Sequence, residues 1–161
     1  MQFDLTKEFI DQIIIALEKE DSKFIADAIL PLHPADIAEI LELIDLKGAQ
    51  FLYRLLDQEL ASEVLVEIEE DTRDQFLASF SSEEIAYSVN KMDADDATDI
   101  IQDLPEEVQE QVLNVLKDND QSSDISMLMN YDENSAGGIM DVDFVAANWN
   151  WTVKDALNKL R

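Results

Sequence analysis

A short unit recurs at a regular spacing of roughly a dozen residues through most of this 161-residue chain, and this recurrence constrains the fold more than any other feature. Each unit has a Leu or Met, then a turn residue such as Pro, Asp or Ser, then an amphipathic stretch that begins with acidic residues. Apolar residues recur at helical spacing within each stretch, so each has one face to bury. Because helices of two to three turns are marginal alone, neighbours must stack to share a core. The sequence therefore predicts an all-α stack of short helices, an α-solenoid or superhelix.

The turn residues set the bounds of the predicted helices. Ser81 or Ser82, ahead of Glu84, and Asp93 are placed to cap helices, and Pro105 is predicted at a first helical position. With only 3 Gly and 3 Pro in the chain, few hairpin turns can form, which excludes an all-β fold. The predicted helices cover residues 5–19, 23–30, 35–44, 58–68, 72–80, 83–92, 95–104, 106–116 and 125–130.

The formal net charge of −26 excludes several classes of partner. Nucleic acids and anionic membrane surfaces are bound through Lys and Arg, which are scarce here. Residues 57–124 carry 21 acidic side chains against three basic ones, and such self-repulsion loosens a compact state unless cations or a basic partner reduce it. The absence of cysteine excludes disulfides and thiolate metal sites. No apolar run of about 18 residues and no secretion signal are present, so we expect no direct membrane insertion by these residues.

The pattern changes after residue 130. Residues 131–138 contain Gly137 and Gly138, two of the three glycines, and are predicted to be a linker. Residues 143–147 are predicted to form a strand, and residues 152–161 a capped helix with Val153, Leu157 and Leu160 on its apolar face. We therefore expect an acidic helical domain at residues 1–130, a linker at 131–142 and the truncated start of a second, β-α domain at 143–161.

The predicted helix 95–104 has two different sides. At 100° per residue, four carboxylates fall within about a third of its circumference, and apolar residues occupy the opposite side. Like charges one turn apart cost a few tenths of a kcal/mol per pair, a sign that a divalent cation would reverse. Mg²⁺ keeps several waters and touches one or two carboxylates, so it suits such a surface. The four carboxylates are Asp95, Asp96, Asp99 and Asp103.

Three segments resemble the MgtE family in order and spacing. They are residues 32–39 (Leu-His-Pro-Ala-Asp-Ile-Ala-Glu), residues 92–99 (Met-Asp-Ala-Asp-Asp-Ala-Thr-Asp) with Leu104-Pro105 after them, and residues 131–140, which end in Ser-Ala-Gly-Gly-Ile-Met. The last is similar to the start of the family's first CBS domain and is the most specific. Thr152-Val153 and Ala156-Leu157 extend the resemblance, which spans about residues 32–161.

The resemblance implies a right-handed superhelical N domain followed by a truncated β-α fragment of a CBS domain. In that family these domains lie on the cytoplasmic side of the membrane, in a homodimeric magnesium channel or transporter. Mg²⁺ bound between the acidic faces of the N and CBS domains favours the closed pore. Partners would be the CBS and transmembrane domains of the same full-length chain. Matching the motif gives Asp95 and Asp99 as metal ligands and adds Glu63 from an earlier helix, with Asp96 and Asp103 in reserve.

Other interpretations stay open. The four metal candidates could be solvated carboxylates or helix caps, and the stack could be a protein-interaction module that binds a basic partner without metal. An EF-hand is poorly supported, since a loop begun at Asp93 has Thr98 where Gly is required. We predict no enzyme: the only histidine, His33, precedes Pro34 in a turn, no nucleophile accompanies it, and no catalytic residue is proposed. No cofactor-binding loop is predicted either, because Gly137-Gly138 lacks a following Lys-Ser/Thr.

Overall fold

Helices with a fixed spacing make up the chain. The computed structural model describes residues 5–117, 121–132, 135–142 and 146–159, and the regular structure in these ranges is α-helical. Helices α2 to α9 begin at residues 22, 34, 46, 58, 70, 82, 94 and 106, so their starts are evenly spaced, a dozen positions apart. The helices are α1 (Lys7–Glu18), α2 (Ser22–Ile29), α3 (Pro34–Leu43), α4 (Leu46–Tyr53), α5 (Gln58–Glu67), α6 (Glu70–Leu77), α7 (Ser82–Val89), α8 (Ala94–Gln102), α9 (Glu106–Leu116), α10 (Ser122–Leu128) and α11 (Val153–Lys159). The predicted all-α stack is confirmed.

The stack has two rows of helices. In one row α3 packs on α5, α5 on α7 and α7 on α9, and in the other α4 packs on α6 and α8 on α10. Side chains join helices within a row: Gln58 Nε2 donates to the Tyr87 carbonyl at 2.7 Å, and Ser62 Oγ to the Ser88 carbonyl at 2.6 Å. In the other row, Gln50 Nε2 donates to the Phe76 carbonyl at 3.4 Å. These bonds join residues 26 to 29 positions apart, as a repeat of two helices requires.

A continuous apolar core runs between the rows. Phe76 is fully buried and meets the Tyr53 and Phe80 rings at centroid distances of 5.1 and 5.0 Å. The Tyr53 hydroxyl donates to the Ala61 carbonyl at 3.0 Å, which satisfies it in the core. Burial raises the pKa of Tyr53 to about 12, because the phenolate would lose its hydration there.

Most helix starts follow the predicted capping chemistry. Ser81 caps α7 in a full capping box, in which its Oγ accepts from Glu84 N and Glu84 Oε2 accepts from Ser81 N. Asp93 holds the N-cap position of α8 but makes no capping hydrogen bond with its side chain. Pro105 was predicted at the first helical position of α9, and this was wrong by one residue. It is the extended N-cap, with φ −56° and ψ 140°, because the helix begins at Glu106.

Helix α4 is absent from the sequence prediction. Its N-cap is Asp45, whose Oδ1 accepts from Gly48 N at 2.9 Å. Gly48 is buried inside the helix, and an added Cβ would lie 2.7 Å from Asp45 Oδ1 and 3.0 Å from Leu17 Cδ1. The glycine that weakens the helical pattern is therefore required by the close packing of α1 on α4.

The C-terminal part confirms one prediction and leaves another outside the description. Helix α11 matches the predicted helix at 152–161, although Leu160 lies outside the described residues. Of the predicted strand at 143–147, residues 143–145 lie outside them too, and residues 146 and 147 have no regular structure. Among the described helices, none has the length and apolar character needed to cross a membrane.

Candidate metal-binding groove

Helix α8 has the two-sided character that its sequence predicts. Ala97, Ile100 and Ile101 are buried in the core. On the other side Asp95 and Asp96 are half-buried, and Asp99 is exposed. The core packing of α8 therefore fixes where its carboxylates point.

A groove of about 610 Å³ lies where the N-terminus of α3, helix α5 and the start of α8 meet. Glu63 on α5 and Asp96 on α8 both line it, so two predicted metal ligands from different helices come together. Glu67 and Asp93 add two more carboxylates, and the full lining is His33, Pro34, Ser62, Glu63, Val66, Glu67, Lys91, Met92, Asp93 and Asp96. The groove is thus an acidic, solvent-reachable surface formed by both rows.

The other sequence candidates are placed differently. Asp95 and Asp99 lie on α8, one residue before and three residues after Asp96, and they do not line the groove. Asp103, a reserve candidate, has its carboxylate engaged: Arg73 Nη2 on α6 donates to its Oδ2 at 2.8 Å. A site that includes Asp95 and Asp99 would therefore extend from the groove along α8.

Asp96 carries the electrostatic signature of the groove. Partial burial raises its pKa above the ordinary value, and the charges of Asp95, Asp93 and Asp141 raise it further, while Arg73 opposes them. A carboxylate held among carboxylates in this way is stabilised by any cation that comes close. The part of α8 nearest the groove is therefore under-compensated in charge.

Sequence reasoning missed part of the groove. It treated Glu67 as a solvated side chain and Asp93 as a helix cap, yet both line the groove with Glu63 and Asp96. A signal existed for Glu67, since Glu63 and Glu67 are one turn apart on α5 and share a face. His33 keeps its predicted turn role: it is the N-cap of α3, and its Nδ1 accepts from Ala35 N at 3.4 Å.

The donor set suits a hydrated cation. Among the described residues, no three Asp, Glu or His side chains converge closely enough to hold an ion by themselves. Carboxylate oxygens are the donors that Mg²⁺ takes, and Mg²⁺ keeps most of its waters while touching only one or two of them. Glu63 and Asp96 can supply that number, so further ligands would have to come from water or from another domain.

The family model of the MgtE intracellular N domain matches residues 32–134. The chain belongs to the MgtE N-domain family. This confirms the resemblance noted in the sequence, and the intracellular character of the family agrees with the predicted side of the membrane.

Two curated relatives of this MgtE N domain are magnesium transporters. The chain is 30% identical over 155 residues to the magnesium transporter MgtE of Bacillus subtilis (strain 168), which covers 96% of this chain and 34% of that protein. It is 25% identical over 150 residues to the magnesium transporter MgtE of Thermus thermophilus, covering 91% of this chain and 33% of that one. The chain therefore spans about a third of the length of the curated relatives it matches.

Two solved structures share the fold. The crystal structure of the soluble part of a magnesium transporter matches with a TM-score of 0.79 and 25% identity, covering 96% of this chain and 60% of that one. The cytosolic domain of the Mg²⁺ channel MgtE, solved in complex with ATP, matches with a TM-score of 0.78 and 21% identity, covering 94% and 62%. At 21% identity the second match supports the fold alone.

Proposed function

We propose that this chain belongs to the Mg²⁺-sensing regulatory region of a magnesium channel or transporter, on the cytoplasmic side of the membrane. Mg²⁺ bound between the acidic face of this N domain and the CBS domains of the same full-length chain favours the closed pore. The role is regulatory and not catalytic. Membership of the MgtE N-domain family and the two magnesium-transporter relatives support this proposal.

One observation carries the metal-sensing part. Glu63 and Asp96 come from helices in different rows, yet they line one groove with two further carboxylates, Glu67 and Asp93. Asp96 is half-buried there, so its charge is screened less than that of a fully exposed side chain. A divalent cation would relieve the repulsion that raises its pKa.

The proposed ligands are Asp95, Asp99, Glu63 and Asp96. Asp96 and Glu63 face the groove, while Asp95 and Asp99 continue the carboxylate side of α8 away from it. Since these side chains do not form a closed cage, the site needs a second surface. The acidic face of a CBS domain would supply it, and the bound ion would hold the two domains together.

The proposed domain division follows the same argument. Residues 1–130 form the N domain, residues 131–142 the linker and residues 143–161 the start of the first CBS domain. Gln102 Nε2, at the end of α8, donates to the Tyr131 carbonyl at 3.3 Å, which ties the acidic helix to the beginning of the linker. A change at α8 can therefore reach the next domain through a short path. In the full-length protein the assembly would be a homodimer.

A magnesium titration of thermal stability tests the proposal. Millimolar Mg²⁺ should raise the melting temperature more than Na⁺ at matched ionic strength, because a ligand that binds the folded state stabilises it. Asp95→Ala with Asp99→Ala should weaken the Mg²⁺ effect. The matched control is Glu106→Ala with Glu110→Ala, an exposed acidic pair with the same spacing on α9, which should leave it unchanged.

Two results would contradict the proposal. The first is a melting temperature that responds equally to Mg²⁺ and to Na⁺ at matched ionic strength. That result favours the alternative, a helical-repeat module that binds a basic partner without metal. The second is an equal loss of the Mg²⁺ effect in both double variants, which would mean that total charge matters and the position on α8 does not.

A further inference from the structure

Arg73 is the only basic residue in the sequence between Arg54 and Lys91. It lies on α6, where Glu70, Asp71 and Asp74 are its neighbours. Its guanidinium leaves these exposed carboxylates and reaches across to α8, where Nη2 donates to Asp103 Oδ2 at 2.8 Å. The one basic side chain of this stretch of sequence is thus directed to the helix that carries the proposed metal ligands.

The Arg73–Asp103 pair is largely sheltered from water. The side chains of Arg73 and Asp103 are only 13% and 22% exposed, in contrast to 47% and 42% for the Arg54–Glu84 pair on the surface. Charges in a sheltered pair are screened less by salt, so they act on their surroundings over a longer range. Arg73 Nε is also buried without a hydrogen-bond partner among the described residues, so the guanidinium is not fully compensated.

The position of the pair matters for the metal face. Asp103 is the C-cap of α8 and lies one turn beyond Asp99, so the pair closes one end of the carboxylate side of this helix. The charge of Arg73 also reaches Asp96, whose pKa it lowers against the surrounding carboxylates. Arg73 therefore acts on the same groups that a bound divalent cation would act on.

We propose that the Arg73–Asp103 ion pair sets the divalent-cation affinity of the α8 face, with Arg73 as a built-in positive charge that weakens cation binding and Asp103 as the charge that offsets it. This inference rests on the proposed function, since it concerns the same site. It adds two residues that touch no ion and still determine the cation concentration to which the site responds.

A charge series on the whole chain tests it, with Mg²⁺ affinity measured by calorimetric titration at constant ionic strength. Removing one unit charge near a divalent ion across a partly solvated surface changes affinity by about three- to tenfold. Arg73→Gln should lower the Kd for Mg²⁺ by that factor, and Asp103→Asn should raise it by a similar factor. The double variant restores the net charge and should bind within about twofold of the wild type.

The opposite signs separate tuning from support. Both single substitutions break the same ion pair, so a purely structural role would shift affinity and metal-free melting temperature in the same direction for both. Arg73→Lys, which keeps the charge and loses the planar guanidinium, should retain the wild-type Kd. Single variants that change affinity in the same direction would overturn the inference while leaving the proposed function in place. A wild-type chain that does not bind Mg²⁺ would overturn both.

Discussion

Helices α7 and α11 begin in the same way and end up in different surroundings. Ser81 and Glu84 form a capping box at α7, and Thr152 and Asp155 exchange equivalent hydrogen bonds at α11. The apolar residues of α7 are buried between α5 and α9, whereas Val153 and Leu157 of α11 are 78% and 54% exposed. Local capping chemistry therefore determines where a helix begins, and burial of its apolar face depends on neighbours in the stack.

The largest expected difference between the two regions is in core truncation. Phe76→Ala in α6 should lower the free energy of unfolding by about 3–5 kcal/mol, because it removes a fully buried ring packed between two aromatic residues. Leu157→Ala in α11 should change it by less than about 0.5 kcal/mol. Urea denaturation followed by circular dichroism measures both. Equal losses would mean that α11 is part of the cooperative core.

The alkaline stability of the stack gives the next effect. The folded pKa of Tyr53 is raised to about 12 from an ordinary value of 10.0, so the unfolded chain loses this proton first as the pH rises. The corresponding stability is fully present below pH 10.0 and is lost as the pH rises through about 12, roughly 2–3 kcal/mol in all.

Tyr53→Phe serves as the control for that pH effect. It should be less stable at neutral pH, since the Ala61 carbonyl loses its donor. Its stability should then fall less steeply than that of the wild type at alkaline pH, because other lysines and tyrosines titrate in both proteins. Parallel curves for the two proteins would show that Tyr53 ionises as freely when folded as when unfolded.

Removing the caps compares the two helix starts directly. Ser81→Ala should cost about 1 kcal/mol of global stability, because α7 forms only with the rest of the stack. Thr152→Ala should leave the unfolding transition unchanged and reduce the helical content of α11, seen in NMR Cα chemical shifts. A global loss from Thr152→Ala would show that α11 and the stack unfold together.

The smallest effects involve two carboxylates whose pKa values shift in opposite directions. The pKa of Asp96 is raised by burial and by neighbouring carboxylates, so its contribution to stability is lost as the pH rises. Without divalent cations, Asp96→Asn should therefore stabilise the protein at neutral pH by a few tenths of a kcal/mol, as expected for relief of like-charge repulsion at a partly exposed site. Thermal melts at pH 4 and pH 7 measure the change, which should be smaller at pH 4.

Asp155 is the matched case in α11. Hydrogen bonds from the side chain and backbone of Thr152 lower its pKa, so its contribution is present above the ordinary Asp range and lost as the pH falls. Asp155→Asn should accordingly reduce the helical content of α11 at neutral pH, in contrast to the stabilisation expected for Asp96→Asn. The same sign for both substitutions would contradict the assigned causes.

The repeat and the capping residues made most of the fold predictable. Prolines and serines at helix starts placed most of the helices within a few residues, and the regular spacing left a vacant position near residue 46. Helix α4 was missed there because Gly48 interrupts the helical pattern, and the reason for that glycine is a contact with Leu17 from α1. Sequence periodicity does not contain a contact between distant helices.

The candidate site was predictable only as far as one helix extends. The angular positions of Asp95, Asp96 and Asp99 follow from helix geometry alone. The groove also depends on α3 and α5, which belong to the other row, so Glu67 and Asp93 could be assigned only once the rows were seen to meet. The ion pair of Asp103 with Arg73 has the same origin in tertiary structure.

The strict spacing of the helices also limits how this chain can change in length. Partners within a row start two units of the repeat apart, as α3 and α5 do at residues 34 and 58. An insertion or deletion of two whole units keeps every later helix in phase, with its apolar side toward the same neighbours. A change of a single unit would move all later helices into the opposite row and bury the wrong faces. Viable length variants of this architecture are therefore expected to gain or lose helices in pairs.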